Sequence, residues 1–215
     1  SRSDYMTKHR TRDEWVAEIL DAAAGRIVAE GYSNLTMESI AAHTSLSKGG
    51  VYRYFRNKRD VALALFERVY NNSMDFDYDD IVGWNLSIAE TIQRLLVVRR
   101  NAEQLRQDHV IWVQLIPETL WDEGFKQHRT RLFEALRGKF EELVRRIVAR
   151  DGLVIHPESE SRFQHYVYYG LVLREGMTFH SVMGLPLEEQ GEMYRQFIEL
   201  FVKDVFAGQV PTSRS

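Results

Sequence analysis

Residues 36–58 read TMESIAAHTSLSKGGVYRYFRNK, and this stretch decides the fold. Leu35 and Ile40 bracket Thr36 at the N′ and N4 positions of a hydrophobic staple, with Thr36 as N-cap. Leu46 and Val51 repeat the device around Ser47, so the two caps stand eleven residues apart. Two short capped helices at that spacing mark a helix-turn-helix, whose second helix enters the DNA major groove. Residues 44–59 carry Lys48, Arg53, Arg56, Lys58 and Arg59 and no acid, a local positive sign that suits a polyphosphate.

The second helix is read as 48–55. At 100° per residue Val51 and Phe55 share one side and should face the core. Gly49 and Arg53 then point away, with Tyr52 and Tyr54 on the flanks. Adjacent glycines in a helix cost about 1 kcal/mol each against alanine. The segment is therefore either a poor helix or one whose backbone must come close to a partner. Lys48 and Arg53 are long cations able to reach guanine O6 and N7 in the major groove.

The run Ile40-Ala41, Leu46-Ser47-Lys48-Gly49, Val51-Tyr52, Tyr54-Phe55 and Lys58 resembles the DNA-binding domain of the TetR-type repressors. Ile19-Leu20-Asp21-Ala22-Ala23 and Glu30-Gly31-Tyr32 fit the same pattern upstream. The resemblance covers the first part of the chain; the remainder is similar only in length and helical character. It implies that Thr36, Ser47, Lys48, Gly49, Tyr52, Tyr54 and Lys58 lie at the DNA. Tyr52 and Lys58 would touch phosphates, which position a protein without reading bases; Lys48 and Arg53 are the candidates for base edges. Ser45 departs from the family, which usually has glycine there. A left-handed residue at that point costs a side chain of order 1 kcal/mol, so the turn is expected to differ or to carry strain.

Composition sets bounds on the rest. The 215 residues are 44% hydrophobic and 27% charged, enough for one or two soluble domains. Net charge is −3, so DNA binding must rest on a local patch. The absence of cysteine removes disulfide and thiolate chemistry. No apolar run nears the roughly 18 residues of a membrane span, so no membrane partner is expected and a cytoplasmic location is the default.

Lys8, Arg10 and Arg12 form a basic arm, either a frayed terminus or a phosphate or minor-groove contact. A helix is expected over 11–30, with Trp15, Ile19, Ala23 and Ile27 on one face and Gly31 as C-cap. Another begins near Asn57, with Asp60 completing a cap. The acidic stretch 71–80 breaks the pattern and places a domain boundary, giving a DNA-binding domain over 8–70, a ligand-binding and dimerisation domain over 71–207, and a flexible tail over 208–215. A calcium loop from Asp75 would need Gly and Glu where Asp80 and Leu86 stand, so a solvated linker is the better reading and no metal is expected. Further helices are expected over 88–96, over 110–120 with an interruption at Pro117, and over 132–147, 161–182 and 187–206. The fold class is all-α, with about nine helices.

The last helix carries Met193, Tyr194, Phe197, Ile198, Leu200, Phe201, Val202, Val205 and Phe206, more than one apolar face requires. The excess either buries deep within a monomer or meets a second copy. The family resemblance implies the second, a four-helix homodimer interface, and Gly170 and Gly176 would allow close approach. The interface residues expected are Gly170, Gly176, Tyr194, Phe197, Ile198, Phe201 and Val205. His109, Trp112, Leu115, Tyr166, Tyr169, Leu173, Met177 and His180 either line a small-molecule site between helices or are plain core. Arg174 sits among apolar neighbours. It snorkels outward with Glu175, pairs inside with an acid, or, unpaired, implies an anionic ligand.

Seven histidines are scattered without the H-E-x-x-H spacing, and no P-loop or G-x-G-x-x-G is present, so no catalytic residue and no cofactor is expected. The function these features imply is a dimeric repressor on a palindromic double-stranded operator, released by a small-molecule effector. The rivals are a helical protein–protein adaptor without operator preference and a helical-bundle enzyme.

Overall fold

The computed structural model describes residues 10–73, 77–97, 102–184 and 186–209. Among the described residues the chain forms ten α-helices and no strand. They are α1 (Arg12–Glu30), α2 (Met37–Ala41), α3 (Lys48–Tyr52), α4 (Lys58–Ser73), α5 (Tyr78–Val82), α6 (Ile88–Val97), α7 (Ala102–Leu115), α8 (Glu123–Arg150), α9 (Glu160–Val182) and α10 (Leu187–Val205). The all-α class is as the periodicity predicts. No helix among these residues is long and apolar enough to cross a membrane.

Local chemistry sets the first boundaries. Thr11 caps α1: its hydroxyl accepts from Glu14 N–H at 3.2 Å, and the Glu14 carboxylate accepts from Thr11 N–H at 2.7 Å. Gly31 ends the helix at φ 83°, a conformation that favours glycine. Ile19, Leu20, Ala23, Ala24 and Ile27 form the buried face of α1, which packs on α2, α4 and α7. α4 carries Val61, Ala62, Leu65, Phe66, Val69 and Tyr70 inward and lies against α7 and α8. It is therefore common to the N-terminal helices and the body.

The described parts of the stretch read as a linker are helical or cap a helix. α4 runs on to Ser73, and Asp77 caps α5 by accepting from the N–H groups of Asp79 and Asp80 at 3.1 and 3.0 Å. Asp75 lies outside the described residues, as do Lys8 of the arm and 210–215 of the tail. Gln209 clasps Val154: its amide oxygen accepts from Val154 N–H at 2.8 Å, and its amide group donates to Val154 C=O at 2.9 Å. Pro117 falls in a 3-10 turn, Ile116–Leu120, that ends α7. Asp122 then caps α8, which starts earlier than the apolar pattern indicates.

Most of the residues expected at a dimer interface are used inside the single chain. Tyr194, Ile198, Phe201 and Val205 are almost completely buried within the protomer, where α10 lies against α6 and α9. Phe197 is half-buried against the Tyr166 ring. Gly170 is buried too; a Cβ there would stand 3.2 Å from Phe197 Cε1, so its missing side chain serves the α9–α10 contact inside one chain. The reason is that α6 supplies a second cover for α10. What remains outside is the opposite face of α9, with Tyr168, Tyr169, Val172, Phe179 and Met183, joined by Met193 and Leu200 of α10. Gly176 is exposed on that face, with open space at its Cβ position.

Candidate nucleic-acid interface

The stapled pair stands as its residues require. Thr36 Oγ1 accepts from Ser39 N–H at 3.0 Å, and Ser39 Oγ accepts from Thr36 N–H at 3.1 Å. Ser47 Oγ accepts from Gly50 N–H at 3.1 Å at the start of α3. Leu35, Ile40, Val51 and Phe55 are buried beneath the two helices. Lys48, Gly49, Tyr52 and Arg53 are exposed on the other side. Tyr54 is half-buried on the flank, with the Arg12 guanidinium 6.0 Å from its ring centre.

The two glycines have different causes. A Cβ on Gly50 would meet Leu46 Cβ at 3.2 Å and Cδ2 at 3.3 Å, so packing accounts for the missing side chain. A Cβ on Gly49 would meet nothing nearer than Ser47 Oγ at 4.0 Å. Nothing within the protomer asks for glycine at 49.

The acid-free stretch of sequence is not acid-free in space. Lys48 pairs with Glu38 of α2, Arg56 with Asp60 at 3.6 Å, and Arg59 with Asp122 at the head of α8. Hydrogen bonding from Lys48 holds the Glu38 carboxyl below its ordinary value, and Glu38 raises Lys48 in turn. Asp122 is held well below the usual carboxylate range, first by Arg59 and then by the Phe125 N–H. Lys58 is half-buried; it donates to the carbonyls of Tyr32 at 3.4 Å and Ser33 at 3.3 Å, above the Tyr32 ring. Among the described residues Arg53 has no carboxylate partner. Exposed ion pairs contribute little because water screens them, so Lys48 and Arg56 can exchange their acids for phosphates at little cost.

The Ser45 hydroxyl has a use that glycine could not serve. Glu18 of α1 accepts from Ser45 N–H at 2.5 Å and from its hydroxyl at 2.7 Å, and Arg10 closes the cluster by pairing with Glu18. The Ser45 backbone N–H is the main cause of a lowered Glu18 pKa. Sequence reading missed Glu18 because its partner lies twenty-seven residues away.

The residues proposed for a ligand site do not all converge. Tyr169 is exposed and stacks on His165, His180 is exposed beside Phe179, and Tyr166 packs against Phe197 and Phe201. Leu115 is fully buried and Leu173 half-buried. His109 Nδ1 lies 2.7 Å from Ser181 Oγ. Trp112, Arg174 and Met177 face the interior, where Trp112 Nε1 donates to Tyr70 Oη at 3.5 Å and Arg174 Nη2 to Ser73 Oγ at 3.2 Å. Tyr70, Ser73, Arg129 and Glu175 complete this polar group, and no local motif announces them.

Residues 19–65 match the family described as bacterial regulatory proteins, tetR family. The chain is 31% identical over 93 residues to the fatty acid metabolism regulator protein of Bacillus subtilis (strain 168). That match takes in 43% of this chain and 46% of the relative, so the chain spans about half the length of the curated relative it matches. The fold is similar to that of a fatty acid degradation regulator from Bacillus halodurans, at TM-score 0.66 and 18% identity over 88% of this chain and 96% of that one. It is also similar to a protein described as a transcriptional regulator from Saccharomonospora viridis in complex with choline. There the TM-score is 0.69 and the identity 17%, over 87% of this chain and 97% of that one.

Proposed function

We propose that this chain, whose residues 19–65 match the tetR family of bacterial regulatory proteins, is a homodimeric transcriptional repressor of that kind. It holds a palindromic operator with α3 and leaves it when a small molecule occupies the C-terminal helices. The carrying observation is the two-sidedness of α3. Val51 is sealed in the core, while Gly49, Tyr52 and Arg53 face outward and glycine at 49 has no internal purpose.

In this reading residues 8–70 bind DNA and 71–207 dimerise and sense. Arg53 and Lys48 address base edges, and Tyr52 and the cap residues Thr36 and Ser47 sit at phosphates. Lys58 acts first as a strut over Tyr32 and gives its remaining donor to a phosphate. The second copy packs on the exposed α9 face around Val172 and Gly176. A stable interface needs about 800 Å² per partner, and several large apolar side chains crowd that face. Two recognition helices would then enter successive grooves about 34–36 Å apart. α4 is the lever, since both halves pack against it.

The test is fluorescence anisotropy and footprinting with DNA from upstream of the chain's own gene. Two similar proteins are named for fatty acid metabolism, so promoters of acyl-chain genes come next. Two protected half-sites one helical turn apart, and lower run-off transcription, are expected. Equal affinity for random duplex at matched salt would point to the adaptor instead.

A further inference from the structure

We propose that Arg174 and Arg129 receive the anionic head group of an amphiphilic effector, and that its arrival slackens the grip of α9 on the end of α4; this rests on the regulatory reading above. On α9 the inward residues Phe163, Val167, Gly170, Leu171 and Met177 recur three or four apart, and Arg174 falls on the same stripe. It is half-buried. Its Nη2 donates to the neutral Ser73 hydroxyl, and its Nε is buried without a partner. No carboxylate pairs with it among the described residues. A guanidinium offers five N–H donors, and burying its charge unmatched is costly.

The adjacent acid is already taken. Glu175 Oε2 accepts from Arg129 Nη2 at 2.7 Å, and its Oε1 accepts from Tyr70 Oη at 2.9 Å. Arg129 lies over the Phe133 ring, and its Nε too is buried without a partner. The cluster therefore holds two guanidiniums against one carboxylate. A ligand carboxylate or phosphate supplies the missing charge and the missing acceptors. Trp112 borders the cluster, and Met177 and Tyr194, almost fully buried in the same interior, must part to admit its apolar body.

Arg174 and the Glu175 that Arg129 holds also grip α4. Ser73 and Tyr70 lie in its last turn, bonded to Arg174 and Glu175. An anion that draws Arg174 away from Ser73 breaks the first tie, and one that draws Arg129 from Glu175 removes the guanidinium that positions the carboxylate of the second. A ligand shifts an equilibrium only through contacts that differ between the two states, and these ties differ.

Isothermal calorimetry on the DNA-free protein decides the site, with sodium dodecanoate, dodecyl phosphate, 1-dodecanol and dodecyltrimethylammonium below their micellar concentrations. The cationic arm is included because a structural neighbour holds choline. Both anions should bind once per protomer, the tighter one identifying the head group, and Arg174→Gln or Arg129→Gln should weaken them roughly ten- to hundredfold. Should Arg174→Gln fail to fold, Arg174→Met, which suits the apolar stripe, is measured in its place. Absence of binding by either anion, equal binding of the alcohol, or unchanged affinity in both variants overturns the site. Operator anisotropy with the bound anion decides the lever: unchanged release overturns it. Loss of all operator binding would strike the regulatory reading alone and leave the calorimetry valid.

Discussion

Alanine placed separately at Gly49 and Gly50 divides the demands of DNA from those of folding. Both glycines lie in α3, where alanine is preferred by about 0.5–1 kcal/mol. At position 49 the new methyl enters open space, with Ser47 Oγ 4.0 Å away. Gly49→Ala should keep the whole gain and raise Tm by about 1–4 °C for a chain of this length. At position 50 the methyl stands 3.2–3.3 Å from Leu46, which must yield by a few tenths of an ångström. Overpacking of that kind costs about 1–3 kcal/mol, enough to cancel or reverse the gain. Operator affinity should move the other way. If the backbone at 49 lies against the duplex, a methyl there should weaken binding at least tenfold, about 1.4 kcal/mol. Calorimetric Tm and operator anisotropy at fixed salt read both quantities on the same preparation. A Gly49→Ala protein that is more stable and binds operator as wild type does would refute a close backbone approach. One that is less stable would refute the open face itself.

Arg53→Ala should relax discrimination at a few base pairs in a competition series over mutated operators; uniform weakening would remove it from the base-reading set. Lys58→Ala removes two carbonyl contacts, so it should cost stability of order 1 kcal/mol and also flatten the salt slope by about one unit; an unchanged slope leaves Lys58 as a strut only. Glu18 has a folded pKa below its unfolded one, so its stabilisation is full above about pH 4.3 and disappears as pH falls through the lowered value. The Tm gap between wild type and Glu18→Gln should accordingly be open at pH 7 and close in acid; a constant gap would show that the Ser45 contact is not what Glu18 provides. Val172→Glu on the exposed α9 face should yield monomers by light scattering at unchanged helicity, and a persistent dimer would move the interface elsewhere.

The DNA-binding end was legible because its signals are local. Staples, caps and the inward pair Val51 and Phe55 lie within a few residues of each other, and a helix repeats them at fixed angles. Charge was not legible in the same way. A window of sequence without acids says nothing of Asp122, which reaches Arg59 from sixty-three residues away, nor of Glu38, which lies just outside the window. α10 shows a different limit. Its residues disclosed more apolar surface than one face requires, but only folding could show that α6 covers Tyr194 and Ile198 and leaves the far side of α9 bare. Arg174 was visible as an anomaly; its neutral partner Ser73 was not.

The joint below the first helices has a further consequence. Tyr32 donates its main-chain N–H to the Gln114 side chain at 3.3 Å, Arg59 leans on Asp122, and α1 and α4 rest on α7. The N-terminal helices thus borrow acceptors and part of their core from the body. Heating should melt both in one heat-capacity peak. A chimaera that grafts 10–73 onto another scaffold would arrive with Tyr32, Arg59 and the apolar backs of two helices unmatched, unless the grafted seam included Gln114 and Asp122.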